Sequence, residues 1–228
     1  KLRSASKKIH RASVVTAGLV DSHTHLIFAG NRADEWNARL KGASYQEIAK
    51  RGGGILKTMN ATRKASLADL VRLGRERCKT AIQTGTTTLE VKSGYGLDLD
   101  SEVKILKAVR ELQKVAKVSL VPTFMGAHAT PPEFSSSRAY IEHLIANVLP
   151  RVKSLAKFQD VFCEAGYFND SESILLLKAG KKLGLLPKVH AHEFGRTGGV
   201  RVAAAVSATS ADHLMSLNSA DIRALKKS

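Results

Sequence analysis

Leu19-Val20-Asp21-Ser22-His23-Thr24-His25-Leu26 is an apolar run that turns polar at its end and delivers two histidines two positions apart. On a β-strand that spacing puts both imidazoles on one face. Two neutral imidazoles converging there supply half of a divalent-metal site. For the tripeptide alone two surface histidines are the commoner outcome, so its meaning depends on what recurs along the chain.

What recurs is an alternation of strand and helix. Polar residues 30–50 and Gly52-Gly53-Gly54 read as loop and turn. Ser66, with Asp69 at the capping-box position, opens a helix running to about Gly85. Thr86 to Val91 is β-branched and reads as a strand ending in the tight loop Lys92-Ser93-Gly94-Tyr95-Gly96. The next helix starts near Asp100-Ser101 and puts Val103, Leu106, Val109 and Leu112 on one face. Strands follow at Val118–Phe124, Asp160–Glu164, Pro187–Glu193 and Thr209–Leu214. The helices among and after them cover residues 138–157, bent near Pro150, then Ser171 to about Lys182, a small-residue helix from Gly198-Gly199, and 219–227.

Six strands alternating with helices predict an α/β fold with a parallel sheet. His23, His25, Tyr95, His128, Glu164, His190, Glu193 and His213 all fall at or just past a strand's C-terminal end. In a (β/α)8 TIM-type barrel those ends converge on one mouth. A doubly wound sheet would instead carry a glycine-rich phosphate loop after its first strand, and Gly52-Gly53-Gly54 lies too far downstream to serve as one. A barrel with about six β/α units is the expectation.

The 228 residues are 43% hydrophobic and 25% charged, the composition of a soluble globular chain with one sizeable core or two small ones. No apolar run approaches the roughly 18 residues that span a bilayer, and no signal peptide is visible. Cys78 and Cys163 stand far apart in no ligand spacing and read as free buried thiols, which points to the cytoplasm. Lys and Arg total 36 against 20 Asp and Glu, a net charge of +16. The cations are scattered, as in Arg72-Arg75-Lys79 and Lys104-Lys107-Arg110, and only residues 1–11 form a basic run. A solvated basic surface is the default and nucleic-acid binding the minority reading.

Among the strand-end residues, His190 is the natural third nitrogen ligand beside His23 and His25. Glu193 is placed to orient or deprotonate a water held there, or else to form a surface ion pair. His213, next to Asp212, would polarise a carbonyl or shuttle a proton, or make a sheet-to-loop hydrogen bond. His128 sits among small residues that let a substrate approach. His192 shares the face of His190 only if the strand persists that far, and His10 and His143 read as surface.

Several longer segments resemble the imidazolonepropionase family of the amidohydrolase superfamily. They are Val20-Asp21-Ser22-His23-Thr24-His25-Leu26, Gly30-Asn31-Arg32, Gly52-Gly53-Gly54-Ile55 and Lys92-Ser93-Gly94-Tyr95-Gly96-Leu97-Asp98. Phe124-Met125-Gly126-Ala127-His128, Asp160-Val161-Phe162-Cys163-Glu164, Val189-His190-Ala191 and Ala211-Asp212-His213-Leu214 continue the match in order. The resemblance implies zinc or iron on His23, His25 and His190. It implies Arg32 on the propionate carboxylate of 4-imidazolone-5-propanoate, Tyr95 and His128 against the substrate, and Glu193 on the ring, assisting proton transfers. It further implies that His213 stabilises the developing oxyanion, that ring opening gives N-formimidoyl-L-glutamate in histidine breakdown, and that the chain forms a homodimer.

Two departures stand out. His192 occupies a position where the family usually has an acid, and Ala17 one where proline is usual. From Leu19 to Thr209 the strand starts are spaced about 38 residues apart, so eight units would need about 300 residues. The expectation is a truncated chain. Residues 1–17 would be a remnant of the terminal β-sandwich and 18–228 a partial barrel without the aspartate ligand of an eighth strand, so that metal is bound weakly and turnover is slow. Two other readings are an amidohydrolase of another specificity, such as a nucleobase aminohydrolase, and a non-catalytic basic binding protein.

Overall fold

The computed structural model describes residues 13–43, 47–48 and 52–228, so most of the expected N-terminal sandwich segment, with the basic run and His10, lies outside the described residues. Six strands are seen: β1 (Leu19–Asp21), β2 (Thr86–Lys92), β3 (Ser119–Ala127), β4 (Phe158–Cys163), β5 (Leu186–Ala191) and β6 (Ser210–His213). They lie side by side in chain order, and every neighbouring pair is parallel. Helices separate them: α1 (Ala33–Leu40), α2 (Ile55–Lys64) and α3 (Leu67–Gln83) before β2, and α4 (Leu99–Gln113) before β3. Then come α5 (Ser137–His143), α6 (Leu149–Val152), α7 (Asp170–Lys182), α8 (Gly199–Val206) and α9 (Ser219–Lys227).

A flat sheet in this order would hold β1 and β6 about 24 Å apart, five spacings of roughly 4.8 Å. Instead His23, just past β1, meets Asp212 of β6 at 2.9 Å. The sheet is therefore curled into a partial barrel, as the alternation predicts.

Alternating side chains divide each strand between two environments. Leu89 and Val91 of β2, Val161 and Cys163 of β4, and Val189 and Ala191 of β5 enter the apolar layers under the helices. Their neighbours Glu90, Lys92, Asp160, Lys188 and His190 are also buried, but form a charged cluster of their own. Both cysteines are buried free thiols.

Caps start the helices where the sequence places them. Ser66 accepts from Asp69 N–H, Asp98 from Ser101 N–H, and Asn169 forms a full capping box with Glu172. The helix expected over 138–157 runs from Ser137 to Val152 and contains a π-helical turn at Leu144–Val148, where Leu149 N–H reaches back five residues to Leu144 O. Pro150 has no N–H to continue the α-helical ladder, so the irregularity sits in the turn before it.

Two helices, α1 and α2, fill the stretch between β1 and α3, where residues 30–50 read as loop. The sequence hides them because α1 buries no residue and α2 buries Thr58, Met59 and Thr62, which make no apolar stripe. Within the main core, fully buried Tyr140 sets its hydroxyl 2.9 Å from Gly126 O and 3.1 Å from Leu97 O. Tyr140→Phe leaves one carbonyl of each loop without this donor and is expected to cost about 1–2 kcal/mol, read as a lower urea midpoint at unchanged slope.

Candidate active site

β1 is shorter than expected and ends at Asp21, so His23 and His25 lie beyond it rather than on it. The segment stays extended because Thr24 ties it to β2: Thr24 O accepts from Lys92 N–H at 2.8 Å and Thr24 Oγ1 donates to Glu90 O at 2.5 Å. Thr24 thus faces β2, and the two histidines project together, ring centres 5.8 Å apart. His190 is the fifth residue of β5 and has its ring 4.5 Å from His23 and 6.0 Å from His25.

One nitrogen of each ring is addressed from outside the cluster. His23 Nδ1 is 2.9 Å from Asp212 Oδ2, His25 Nδ1 is 3.1 Å from Ser93 O, and His190 Nδ1 is 3.0 Å from Asp160 Oδ2. The His190 contact has ion-pair distance without hydrogen-bond alignment, and both its nitrogens, buried, lack a hydrogen-bond partner. Ligand nitrogens of His23, His25 and His190 come within 4.8 Å of one another. A buried imidazole with an orphaned nitrogen, converging with two others that are oriented by outer acceptors, suits a metal ion with an open coordination position. A second group, Asp160, His190 and Asp212, meets the same distance criterion.

These rings open into a cavity of about 450 Å³ lined also by Arg32, Tyr95, His128, Glu193 and His213. The structure therefore brings Arg32, Tyr95, His128, Glu193 and His213 to one mouth with His23, His25 and His190. Tyr95 rides on the Ser93–Leu97 loop, where Gly94 has φ +102°, and a Cβ there would stand 2.7 Å from Met125 O. His128, past β3, stacks on His25 at 4.7 Å, and its Nδ1–H donates to Gly94 O, 3.1 Å away. Glu193 Oε2 lies 3.3 Å from His213 Nε2.

One open alternative closes and one expectation fails. β5 stops at Ala191, and His192 takes φ +55°, which turns its ring out of the cavity. Its nitrogens sit 2.8 Å from Ser216 O and 3.0 Å from Thr197 O, so it fastens two loops and is no ligand. Glu164 is not in the cavity wall either. Its carboxylate accepts from the N–H groups of Ala165, Glu193 and Phe194, holding the loop that carries Glu193.

The sequence reading also missed residues the cavity contains. Arg39 joins Arg32 on the wall, two helical turns along α1, and neither has an ion-pair partner among the described residues. Ile55, Phe162, Tyr167 and Phe194 give the cavity an apolar side. A helical signal in residues 33–40 would have exposed the Arg32/Arg39 spacing; the sequence carries none.

Burial, reinforced by the neighbouring rings, holds His25 well below the usual imidazole range, pushes His128 down to about 3, and takes His213 down to about 4. All three are neutral at pH 7. Asp160 and Asp212 are also buried, yet His190, His23 and Lys92 outweigh that effect and keep both carboxylates well below their ordinary range. The unfolded chain protonates its histidines near pH 6.5 while the folded chain does not, so stability declines as pH falls from that value toward the depressed pKa values. For His128 alone, moving from pH 7 to 5 costs about 2 kcal/mol. The metal-free chain is expected to show a lower urea midpoint at pH 5 than at pH 7, with a smaller difference in His128→Gln; equal midpoints would refute the assignment.

A curled parallel α/β sheet with a histidine-lined cavity at its C-terminal strand ends is a barrel-type fold with a candidate metal-binding mouth. Solved structures agree on the fold. The 5-methylcytosine deaminase of Klebsiella pneumoniae matches 98% of this chain and 56% of its own at TM-score 0.63 and 14% identity. An amidohydrolase from Burkhoderia ambifaria with bound Zn matches 86% and 58% at TM-score 0.57 and 15% identity. No family model matches the chain. Imidazolonepropionases are 49% identical over 217 residues in Shewanella halifaxensis and 52% over 209 in Symbiobacterium thermophilum, taking in 94% and 90% of this chain. Over these residues the chain is similar to imidazolonepropionases, and it spans about half the length of these curated relatives, 53% and 49%.

Proposed function

We propose that the chain carries the catalytic half-site for hydrolysis of the cyclic amide of 4-imidazolone-5-propanoate to N-formimidoyl-L-glutamate, with residues 18–228 as a partial barrel and 1–17 as part of a terminal sandwich. The observation that carries the reading is the meeting of His23, His25 and His190 with Glu193, His213 and Arg32 around one cavity, in a chain half identical to imidazolonepropionases. The ion would be zinc or iron, held by the three histidines, and it would supply Lewis acidity and lower the pKa of water.

The chain's own groups then have distinct tasks. Glu193, half-buried and with its pKa raised chiefly by burial, is suited to take a proton from the attacking water and pass it to the leaving ring nitrogen. The water oxygen joins the ring carbonyl carbon, the C–N bond breaks, and the nitrogen leaves protonated. Neutral His213 offers an N–H to the carbonyl oxygen as it gains charge. Arg32 offers a planar fork to the propionate carboxylate, while Tyr95 and His128 flank the ring.

The test is loss of imidazolone absorbance on mixing substrate with the zinc- or iron-loaded chain. Turnover abolished by a chelator and by Glu193→Gln is the expected result. A chain with metal bound and no turnover, alone or extended to the relatives' full length, would sink the proposal.

A further inference from the structure

The cluster inside the curled sheet contains more charge than three imidazoles need. Fully buried Lys92 places its Nζ 2.6 Å from Asp160 Oδ2, 2.9 Å from Asp212 Oδ2 and 3.1 Å from Glu90 Oε1. Lys188 covers the other oxygen of Glu90 at 2.5 Å but stays 3.9 Å from Asp212. Thr123 Oγ1 donates to Glu90 as well. Glu90 is thus satisfied without Lys92, whereas Asp160 and Asp212 share it.

Those two carboxylates are the groups that address the histidines. The same Asp160 Oδ2 that meets Lys92 stands 3.0 Å from His190 Nδ1, and the same Asp212 Oδ2 stands 2.9 Å from His23 Nδ1. A carboxylate on the outer nitrogen of a ligating imidazole fixes its tautomer and ring orientation. One ammonium therefore holds both carboxylates, from β4 and β6: Asp212 is hydrogen-bonded to His23 beyond β1, and Asp160 lies at ion-pair distance from His190 of β5.

Charge balance alone offers a plainer account: two lysines offset three carboxylates in a buried space. Buried ion pairs are weak contributors to stability, and balance by itself would not require a single amine at hydrogen-bond distance from both carboxylates that face the metal cluster.

We infer that Lys92 is the positioning residue of the metal centre, setting the orientation of His23 and His190 through Asp212 and Asp160. This rests on the reading of His23, His25 and His190 as metal ligands. Lys92 touches no substrate and does its work by keeping two imidazoles turned so that their Nε2 atoms face a common point.

The experiment compares the wild-type chain with Lys92→Met by two readouts besides activity: cobalt(II) titration followed by visible absorption, and ¹⁵N spectra of the histidine rings without metal. Far-UV dichroism and a melting curve report whether the variant folds. The expected result is a folded Lys92→Met whose cobalt affinity drops about 10-fold or more, with the single-tautomer ring signals of His23 and His190 giving way to mixtures. A folded variant with wild-type cobalt affinity and ring spectra overturns the inference. If Lys92→Met does not fold, Asp212→Asn decides, since it keeps volume and an acceptor oxygen but loses the charge that meets Lys92. Weaker cobalt binding with an altered His23 ring signal supports the inference, and wild-type behaviour overturns it. A wild-type chain that takes up no cobalt overturns the metal reading, and the inference with it.

Discussion

His190→Ala is expected to weaken zinc or cobalt(II) binding by at least about 100-fold. His190 supplies one of three converging nitrogens, and its ring lies within 6.0 Å of those of His23, His25, His128, Phe162 and His213. Among the described residues the other imidazoles near it are engaged elsewhere: His192 with Thr197 O and Ser216 O, His213 with Glu193, and His128 with Gly94 O. The fold itself survives the change, because Asp160 keeps Lys92 and the N–H of Val161 as partners. Competition against a chromophoric chelator measures the loss, and melting of the metal-free variant separates it from unfolding. A drop of less than about tenfold, no larger than the change expected from an outer partner, would remove His190 from the ligand set.

Glu102→Ala is expected to cost about 4 kcal/mol or more, a large share of a domain's usual 5–15 kcal/mol. The side chain is fully buried in the first turn of α4, and its carboxylate accepts from the N–H groups of Gly94, Gly96 and Leu97 at 2.8–3.1 Å. Alanine leaves three buried donors without partners, each worth about 1–3 kcal/mol. Leu97 is held at φ +59° by that arrangement, a conformation an L residue adopts at a cost. Tyr95 stands within the same loop, so the cavity wall goes with it. Urea unfolding reads the stability, and Glu102→Gln, which retains one acceptor oxygen, should lose less. Alanine and glutamine variants of wild-type stability would show that the loop is held by something else.

The alternation of strand and helix was legible from Ser66 onward because its signals are local. β-Branched Thr86–Thr88, the caps at Ser66 and Asn169, and the apolar stripe through Val109 and Leu112 each report their own element. The segment 33–64 was opaque for the opposite reason: α1 packs no side chain into the core, and α2 faces it with two threonines and a methionine. The sequence left open whether His192 shares the face of His190, and the end of β5 at Ala191 with a positive φ at His192 separates them. The histidine mouth itself was readable because strand ends converge in any parallel barrel. The charged support beneath it was not. Lys92 meets Asp160 across 68 positions and Lys188 meets Glu90 across 98, and no spacing in a sequence announces such pairs. Charged residues inside strands ordinarily read as solvent-facing, which these are not.

The strict chain order of the sheet also dictates a history. Each strand pairs only with the one made just before or after it, so the sheet can grow by closing loops of modest length, with limited entropic cost at each step. The link between His23 and Asp212 is of another kind: it joins positions 189 residues apart and has no partner until all six strands are in place. The His23 side of the three-imidazole centre is thus held only when both edges of the sheet are in place. An ion seated there would bind the folded chain and not the unfolded one, a clasp across the two edges of the sheet that stabilises by mass action.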